Sequence, residues 1–333
     1  MDNSQHQFNP HPFLRSGTLQ TIFGAKNFGK TKLPPRKLHK MPVGIQSLLC
    51  LYEIPPPHSE SPIILLSHGM AGCSESEYMR RVAGKLFGKG FGVFMMNQRG
   101  SGPGLGMSDR LWNGGASGDL ARAIEYILKL YANKPLLLVG FSLSGNILLK
   151  YLGEGRKIPS NINAAFAVNP PIDLKTASMI LSKGNGRGIF NKNFIKPINM
   201  QLEAMAECFP RTFLPPRKPV SILDFDTIYT APSGGYKDVD EYYRKCSSKQ
   251  FLAGIKVPTV LLCAQDDPFI PADLFKDARM SLCVESLTPE HGGHMGYISS
   301  SRTSFGDKRW MDSVIVEWAQ DAFPRFRPAP DNR

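Results

Sequence analysis

Short apolar runs separated by helix-like stretches are the feature of this sequence that most constrains its fold. Each run has the length of a buried strand, and an opening strand is expected at 44–54. Stretches such as 77–88 place apolar side chains at helical spacing between the runs. This alternation predicts a mainly parallel α/β sheet with helices on both faces. The buried runs are 62–66, 91–96, 136–139, 164–168, 257–264 and 282–287.

The alternation also predicts how the chain is organised. With 333 residues and 42% hydrophobic content, the chain can bury a large core. We expect an N-terminal arm at 1–40, a main domain at 41–325 and a short C-terminal tail at 326–333. Between about 170 and 250 the chain is apolar and basic without a clear strand. This pattern is typical of a helical cap over a cleft, and ordinary helical packing is the alternative.

Composition restricts compartment and partners. No secretion signal or membrane-spanning run occurs, so we expect a cytoplasmic protein. The six cysteines lack C-x-x-C spacing, which favours reduced thiols over a metal site. The net charge of +12 indicates either an anionic partner or a well-solvated surface. No nucleic-acid-binding motif accompanies the charge, whereas peripheral contact with an anionic membrane is compatible with it. The oligomeric state is left open.

The stretch 136–150 gives the first indication of chemistry. Its apolar run ends at Gly140, and Ser142 follows at the start of an apolar helical pattern. A tight turn between strand and helix lifts a serine hydroxyl clear of its neighbours, and it needs small residues on both sides. The second small position here is Ser144 instead of glycine. A small-residue turn without chemistry is therefore the alternative to a nucleophile elbow.

Two later loops carry residues that could activate such a serine. Asp266 and Asp267 follow one predicted strand, and His291 and His294 follow the next. The carboxyl ends of parallel strands meet at one edge of a sheet, so these loops are expected to lie near Ser142. A serine hydroxyl becomes a good nucleophile when an imidazole takes its proton and a carboxylate orients that imidazole. The chain order Ser, Asp, His fits this chemistry.

Each of the two loops offers a choice. We favour Asp267 as the acid because it directly precedes Pro268 at the loop apex, which leaves Asp266 to cap the turn or brace the cleft. We favour His294 as the base because the two glycines before it let the loop present its ring to the serine. His291 instead closes the preceding strand.

An oxyanion on the attacked carbonyl needs N–H donors close to the serine. The loop after the run 62–66 contains His68, Gly69 and Met70. We predict that the backbone N–H groups of Met70 and Leu143 form the oxyanion hole. We expect His68 to brace this loop and not to act as a base.

The chain resembles the YheT-like branch of the α/β-hydrolase superfamily from about residue 15 to 320. The resemblance implies the α/β-hydrolase fold, with Ser142 as nucleophile, Asp267 as acid and His294 as base. It also implies hydrolysis of short- to medium-chain acyl esters without a metal or organic cofactor. The family pattern has glycine in place of Ser144, so a shifted elbow could lower the rate. The matching motifs are Leu19-Gln20-Thr21, His68-Gly69, Asn97-Gln98-Arg99-Gly100, Gly140-Phe141-Ser142-Leu143, Leu223-Asp224-Phe225-Asp226, Tyr229-Thr230-Ala231-Pro232, Asp266-Asp267-Pro268-Phe269 and His291-Gly292-Gly293-His294.

These observations predict a serine carboxylic-ester hydrolase that forms an acyl-enzyme intermediate on a small-molecule ester or lipid. An acyltransferase is the near alternative, because the same intermediate can pass its acyl group to an alcohol or thiol. A non-catalytic lipid- or acyl-binding protein with a hydrolase fold is the alternative from another class. Ser144 is the feature of the sequence in its favour.

Overall fold

A single eight-stranded sheet forms the centre of the described structure. The computed structural model describes residues 7–26, 31–183 and 188–323, so the predicted tail at 326–333 lies outside the described residues. The strand order is β1-β2-β4-β3-β5-β6-β7-β8. The strands are β1 (Lys37–Pro42), β2 (Leu48–Ile54), β3 (Ile63–Ser67), β4 (Gly92–Asn97), β5 (Leu136–Phe141), β6 (Ile162–Val168), β7 (Thr259–Leu262) and β8 (Val284–Leu287).

The sheet is mainly parallel, which confirms the fold class predicted from the sequence. All neighbouring pairs from β4 across to β8 are parallel, whereas β2 is antiparallel to both β1 and β4. The single opening strand expected at 44–54 is instead a hairpin of β1 and β2. The Val43 N–H donates to the carbonyl oxygen of Ser47 at 2.9 Å, and this bond closes a turn that reverses the chain.

Helices lie between most successive strands of this sheet. The α-helices are α1 (Gly17–Ala25), α2 (Glu77–Gly88), α3 (Ser117–Leu130), α4 (Leu143–Gly153), α5 (Leu174–Ser182), α6 (Gly188–Cys208), α7 (Ile222–Phe225), α8 (Ala231–Ser233), α9 (Val239–Cys246), α10 (Asp273–Lys276) and α11 (Trp310–Ala322). Gly102–Gly104 and Ser248–Gly254 form 3₁₀-helices, and Asp226–Thr230 forms a π-helical turn.

The central strands supply two separate cores, one on each face of the sheet. Successive side chains of a strand point to opposite faces. Leu65 and Leu138 therefore join the core that contains α3 and α4, whereas Leu66 and Val139 join the core that contains α2 and α11. Because both faces are covered, the central strands are continuous apolar runs without polar alternation.

The segment between β6 and β7 is helical. The described residues of 170–250, called the helical insertion below, form helices and turns without a strand. Leu174, Leu181, Ile198 and Phe225 from this insertion belong to the same core as α3 and α4. The insertion thus packs into the core that contains α3 and α4, and its action as a cap stays a prediction.

Three further observations concern the expectations from composition. All six cysteines are free. Within the described ranges, none of the helices combines the length and apolar composition that a membrane span requires. The same ranges contain no group of three or more His, Cys, Asp or Glu side chains arranged to hold a metal ion.

Candidate active site

The turn between β5 and α4 holds Ser142 in a strained conformation. Its φ of 50° and ψ of −117° are sparsely populated for a residue with a side chain. A Cβ atom on Gly140 would lie 2.5 Å from the carbonyl oxygen of Ser144, so this turn requires glycine there. A Cβ atom on Gly145 would lie 3.0 Å from Pro170 Cβ. The close approach on the helix side therefore falls at position 145 and not at 144.

Ser144 fits beneath the elbow with its hydroxyl group paired. Its Oγ donates to the carbonyl oxygen of His68 at 2.5 Å and accepts from Gln98 Nε2 at 2.8 Å. Gln98 Nε2 also donates to the same His68 carbonyl oxygen at 3.0 Å. The three residues form a closed, buried polar network that joins the elbow to the loop after β3.

Ser142, His294 and Asp267 form a continuous chain of hydrogen bonds. His294 Nε2 lies 2.9 Å from Ser142 Oγ, and His294 Nδ1 lies 2.8 Å from Asp267 Oδ2. The ring of Phe269 contacts the imidazole edge to face, with 4.9 Å between ring centres. Donation from Nδ1 to Asp267 leaves Nε2 as an acceptor for the serine proton.

Asp267 is held by a full set of donors. Its side chain is inaccessible to solvent. Its Oδ1 accepts from the backbone N–H groups of Phe269 at 2.8 Å and Ile270 at 3.1 Å. Its Oδ2 accepts from Asn169 Nδ2 at 2.7 Å in addition to the imidazole of His294. These bonds fix the carboxylate in the orientation that the imidazole needs.

The neighbouring carboxylate faces a different histidine. Asp266 Oδ2 lies 3.3 Å from His291 Nδ1, and Asp266 Oδ1 accepts from the Gly293 N–H at 2.8 Å. Burial raises the pKa of Asp266, and these two partners oppose the rise. Asp266 and His291 thus brace the histidine loop, whereas the pair favoured from the sequence lies beside Ser142.

Two residues that the sequence reasoning missed support the histidine loop. Asn169 follows β6 with a positive φ of 43°, and its Oδ1 accepts from the Tyr297 hydroxyl at 3.0 Å. Asn169 directly follows a buried parallel strand, and this position could have marked it from the sequence as a candidate site residue. Thr21 on α1, inside the predicted arm, accepts from the His294 N–H at 2.8 Å. No chemical pattern in the sequence marks Thr21, although it falls in a motif of the family resemblance.

The two predicted oxyanion donors flank the nucleophile. Leu143 is the first residue of α4, so its N–H has no acceptor within the helix. The Met70 N–H has no acceptor among the residues that the structure describes. Both residues line the same cavity as Ser142. The adjacent Gly69 N–H instead donates a hydrogen bond to the Tyr78 hydroxyl at 2.9 Å.

His68 is a buried neutral residue, in agreement with its expected bracing role. Its Nδ1 lies 2.7 Å from the carbonyl oxygen of Gly69, and its Nε2 accepts from the Gln98 N–H at 3.1 Å. Burial lowers the pKa of His68 to about 4. Both ring nitrogens are occupied, so this imidazole has no free position at which to act as a base.

A mostly apolar cavity lies between Ser142 and the helical insertion. The volume of the cavity is about 50 Å³. Polar side chains of the insertion, Ser178, Asp226 and Tyr242, also line it. The apolar walls include Trp112, Leu174, Leu181, Phe194 and Ile222.

Comparison with known proteins agrees with this architecture. Residues 62–301 match the model of the alpha/beta hydrolase fold family. The chain is 28% identical to the putative esterase YheT of Escherichia coli over 324 residues, which cover 95% of this chain and 94% of YheT. It is 28% identical to the human monoacylglycerol lipase ABHD2, covering 92% of this chain and 77% of that protein. A solved esterase of Pyrococcus furiosus superposes with a TM-score of 0.55 at 17% identity, covering 88% of this chain and 92% of the esterase. The chain therefore belongs to the α/β-hydrolase family and is a YheT-like member of it.

Proposed function

We propose that the protein is a serine carboxylic-ester hydrolase. The observation that carries this proposal is the chain of hydrogen bonds from Ser142 through His294 to the buried Asp267. In the first half-reaction His294 takes the Ser142 proton while the hydroxyl oxygen attacks the ester carbonyl. Asp267 stabilises the imidazolium, and the N–H groups of Met70 and Leu143 bind the oxyanion. His294 then protonates the alcohol that leaves.

The second half-reaction releases the acyl group to water. His294 removes a proton from the water molecule as it attacks the acyl carbonyl on Ser142. Collapse of the intermediate breaks the Ser142–acyl bond, and the serine oxygen regains its proton from His294. One ester and one water thus give one carboxylic acid and one alcohol.

We place the Ser144, Gln98 and His68 network in a positioning role. Both polar contacts to the His68 carbonyl fix the peptide that precedes the oxyanion loop. Oxyanion donors contribute most when they are held in place before charge develops. The network therefore supports catalysis without touching substrate.

The cavity favours a small ester. Its mostly apolar walls suit a short- to medium-chain acyl group. Relatives from yeast and human are named monoacylglycerol lipases, which supports an ester of lipid type.

The proposal is tested with esters of p-nitrophenol of increasing acyl length and with a fluorophosphonate probe. Ser142→Ala should abolish both hydrolysis and labelling, whereas Ser144→Ala should retain labelling at Ser142. Unchanged hydrolysis by Ser142→Ala would contradict the proposal. A folded wild-type protein that the probe does not label would favour a non-catalytic binding protein. Transfer of the acyl group to added alcohols in preference to water would favour an acyltransferase.

We also propose that the protein is cytoplasmic and that it contacts anionic membranes peripherally. Lys192 and Lys196 on α6 are exposed, and Met200 and Val220 expose 55% and 69% of their surface in the same insertion. Basic and apolar groups on one surface suit an anionic lipid interface. Co-sedimentation with phosphatidylserine vesicles at low salt is expected, and its absence would count against this contact. Arg187, part of the basic pattern in the sequence, lies outside the described residues.

A further inference from the structure

Asp226 places a carboxyl group in the wall of an otherwise mostly apolar cavity. It begins the π-helical turn Asp226–Thr230, and only 7% of its surface is exposed. Turns of this type occur frequently at functional sites. No cation among the described residues forms a salt bridge with Asp226. The cavity that it lines also contains Ser142 and His294.

The carboxyl group has internal partners but keeps capacity for another. The Tyr243 hydroxyl lies 2.9 Å from Asp226 Oδ2 and 2.7 Å from Ser178 Oγ. The hydroxyl groups of Tyr243 and Thr230 both favour the ionised form of Asp226. An ionised carboxylate offers about four acceptor positions, so the hydrogen bond from Tyr243 leaves room for a donor in the cavity.

A purely structural role explains Asp226 poorly. Burial of a carboxylate without a cation costs free energy, and here burial raises the pKa of Asp226 to about 7. A serine or asparagine could accept a hydrogen bond from Tyr243 at a lower desolvation cost. Contact between the Asp226 carboxyl group and the substrate would explain the position of Asp226 in the cavity wall.

We propose that Asp226 binds a hydroxyl group on the alcohol portion of the substrate, so that the preferred substrates are esters of polyols. This inference rests on the proposed hydrolase function. In that function the acyl chain is a hydrocarbon, which offers Asp226 no hydrogen bond, so the hydroxyl belongs to the alcohol. A hydroxyl donates to the ionised carboxylate and accepts from the protonated acid, whereas an ammonium group pairs with the ionised form alone.

The test compares two esters of equal shape. 1-Butyrylglycerol carries two free hydroxyl groups, and 2-methylbutyl butyrate has methyl groups in their places. The selectivity, defined as the ratio of kcat/KM for 1-butyrylglycerol to kcat/KM for 2-methylbutyl butyrate, isolates recognition of the hydroxyls. Asp226→Leu should lower this ratio at least tenfold, which corresponds to about 1.4 kcal/mol. Asp226→Asn, which keeps an acceptor for Tyr243, should lower it about threefold.

Two controls separate recognition from structure. Asp224→Asn removes a carboxylate two residues away that pairs with the exposed Arg217. Tyr243→Phe removes the internal hydrogen bond to Asp226. Both variants should keep the selectivity within twofold of wild type, although Tyr243→Phe should lower the melting temperature.

Four further outcomes would overturn the inference about Asp226. An unchanged selectivity in Asp226→Leu, with both rates reduced equally, would make Asp226 structural and overturn the inference. If Asp226→Leu does not fold, an unchanged selectivity in Asp226→Asn overturns it. A wild-type preference of more than tenfold for 2-methylbutyl butyrate also overturns it. Hydrolysis of neither ester by a folded wild-type protein overturns the hydrolase proposal as well, which distinguishes the two failures.

Discussion

The Ser144 hydroxyl donates a 2.5 Å hydrogen bond to the carbonyl oxygen of His68 and so ties the nucleophile elbow to the proposed oxyanion loop. From the sequence, Ser144 raised the expectation of a crowded and slower elbow. The structure instead gives its side chain two buried polar partners. The two interpretations make opposite predictions for the glycine variant.

We expect Ser144→Gly to lower kcat about tenfold, because leaving buried partners unpaired costs about 1–3 kcal/mol and loosens the loop. KM for p-nitrophenyl butyrate should change less than twofold, since the oxyanion donors act mainly in the transition state. Ser144→Gly and Ser144→Ala should give similar values of kcat and KM in steady-state measurements. A higher kcat in Ser144→Gly would instead support crowding by the serine side chain.

The two adjacent carboxylates provide a matched pair of variants. Asp267→Asn should lower kcat by roughly a thousandfold or more, because the amide no longer fixes the imidazole tautomer that accepts the Ser142 proton. Asp266→Asn should lower kcat less than about tenfold, since Asp266 contacts His291 and the loop backbone. Rates with p-nitrophenyl butyrate measure both changes. The reverse order of effects would assign the acid to Asp266.

Helix α1 contributes to the position of the base. Thr21→Val keeps the side-chain shape but removes the acceptor of the His294 N–H, so kcat should fall about threefold to tenfold. Thr18 lies exposed on the same helix, and Thr18→Val is the matched control with unchanged kinetics. Equal kcat values for the two variants would show that this hydrogen bond does not orient His294.

Two buried groups make opposite contributions to stability between pH 4 and 7. Burial lowers the pKa of His68 to about 4, so the unfolded chain binds the extra proton and stability rises with pH up to about 6.5. Burial raises the pKa of Asp226 to about 7, so the folded chain binds the extra proton and stability falls with pH above about 4. Each group contributes about 1.4 kcal/mol per pH unit, and the two largely cancel in the wild type.

Single variants should separate these contributions. In urea denaturation between pH 4.5 and 6.5, Asp226→Asn should gain stability as pH rises, and His68→Asn should lose it. The other titratable neighbours of Asp226 are Tyr242, Tyr243 and Cys246, whose pKa values are all raised above their usual range. They therefore do not titrate in this window. A flat profile for Asp226→Asn would contradict the assigned pKa values.

The sequence by itself determined most of the strands, most of the helices between them and the loops that carry the candidate chemistry. Apolar runs and helical spacing are local properties, so they indicated a parallel sheet and placed Ser142, the two aspartates and the two histidines at its carboxyl edge. The roles of Ser142, Asp267 and His294 stay proposals until they are tested. The β1–β2 hairpin was missed because β1 is a largely exposed edge strand that lacks an apolar run.

Only the tertiary structure decided which side chains meet. Sequence spacing does not specify side-chain direction, so the pairing of Asp267 with His294 and of Asp266 with His291 depended on packing of two loops. The support from Thr21 crosses 273 residues of sequence. The place of Asp226 in the cavity wall likewise follows from how the helical insertion packs beside Ser142 and His294. Such contacts arise from long-range packing, which no local pattern records.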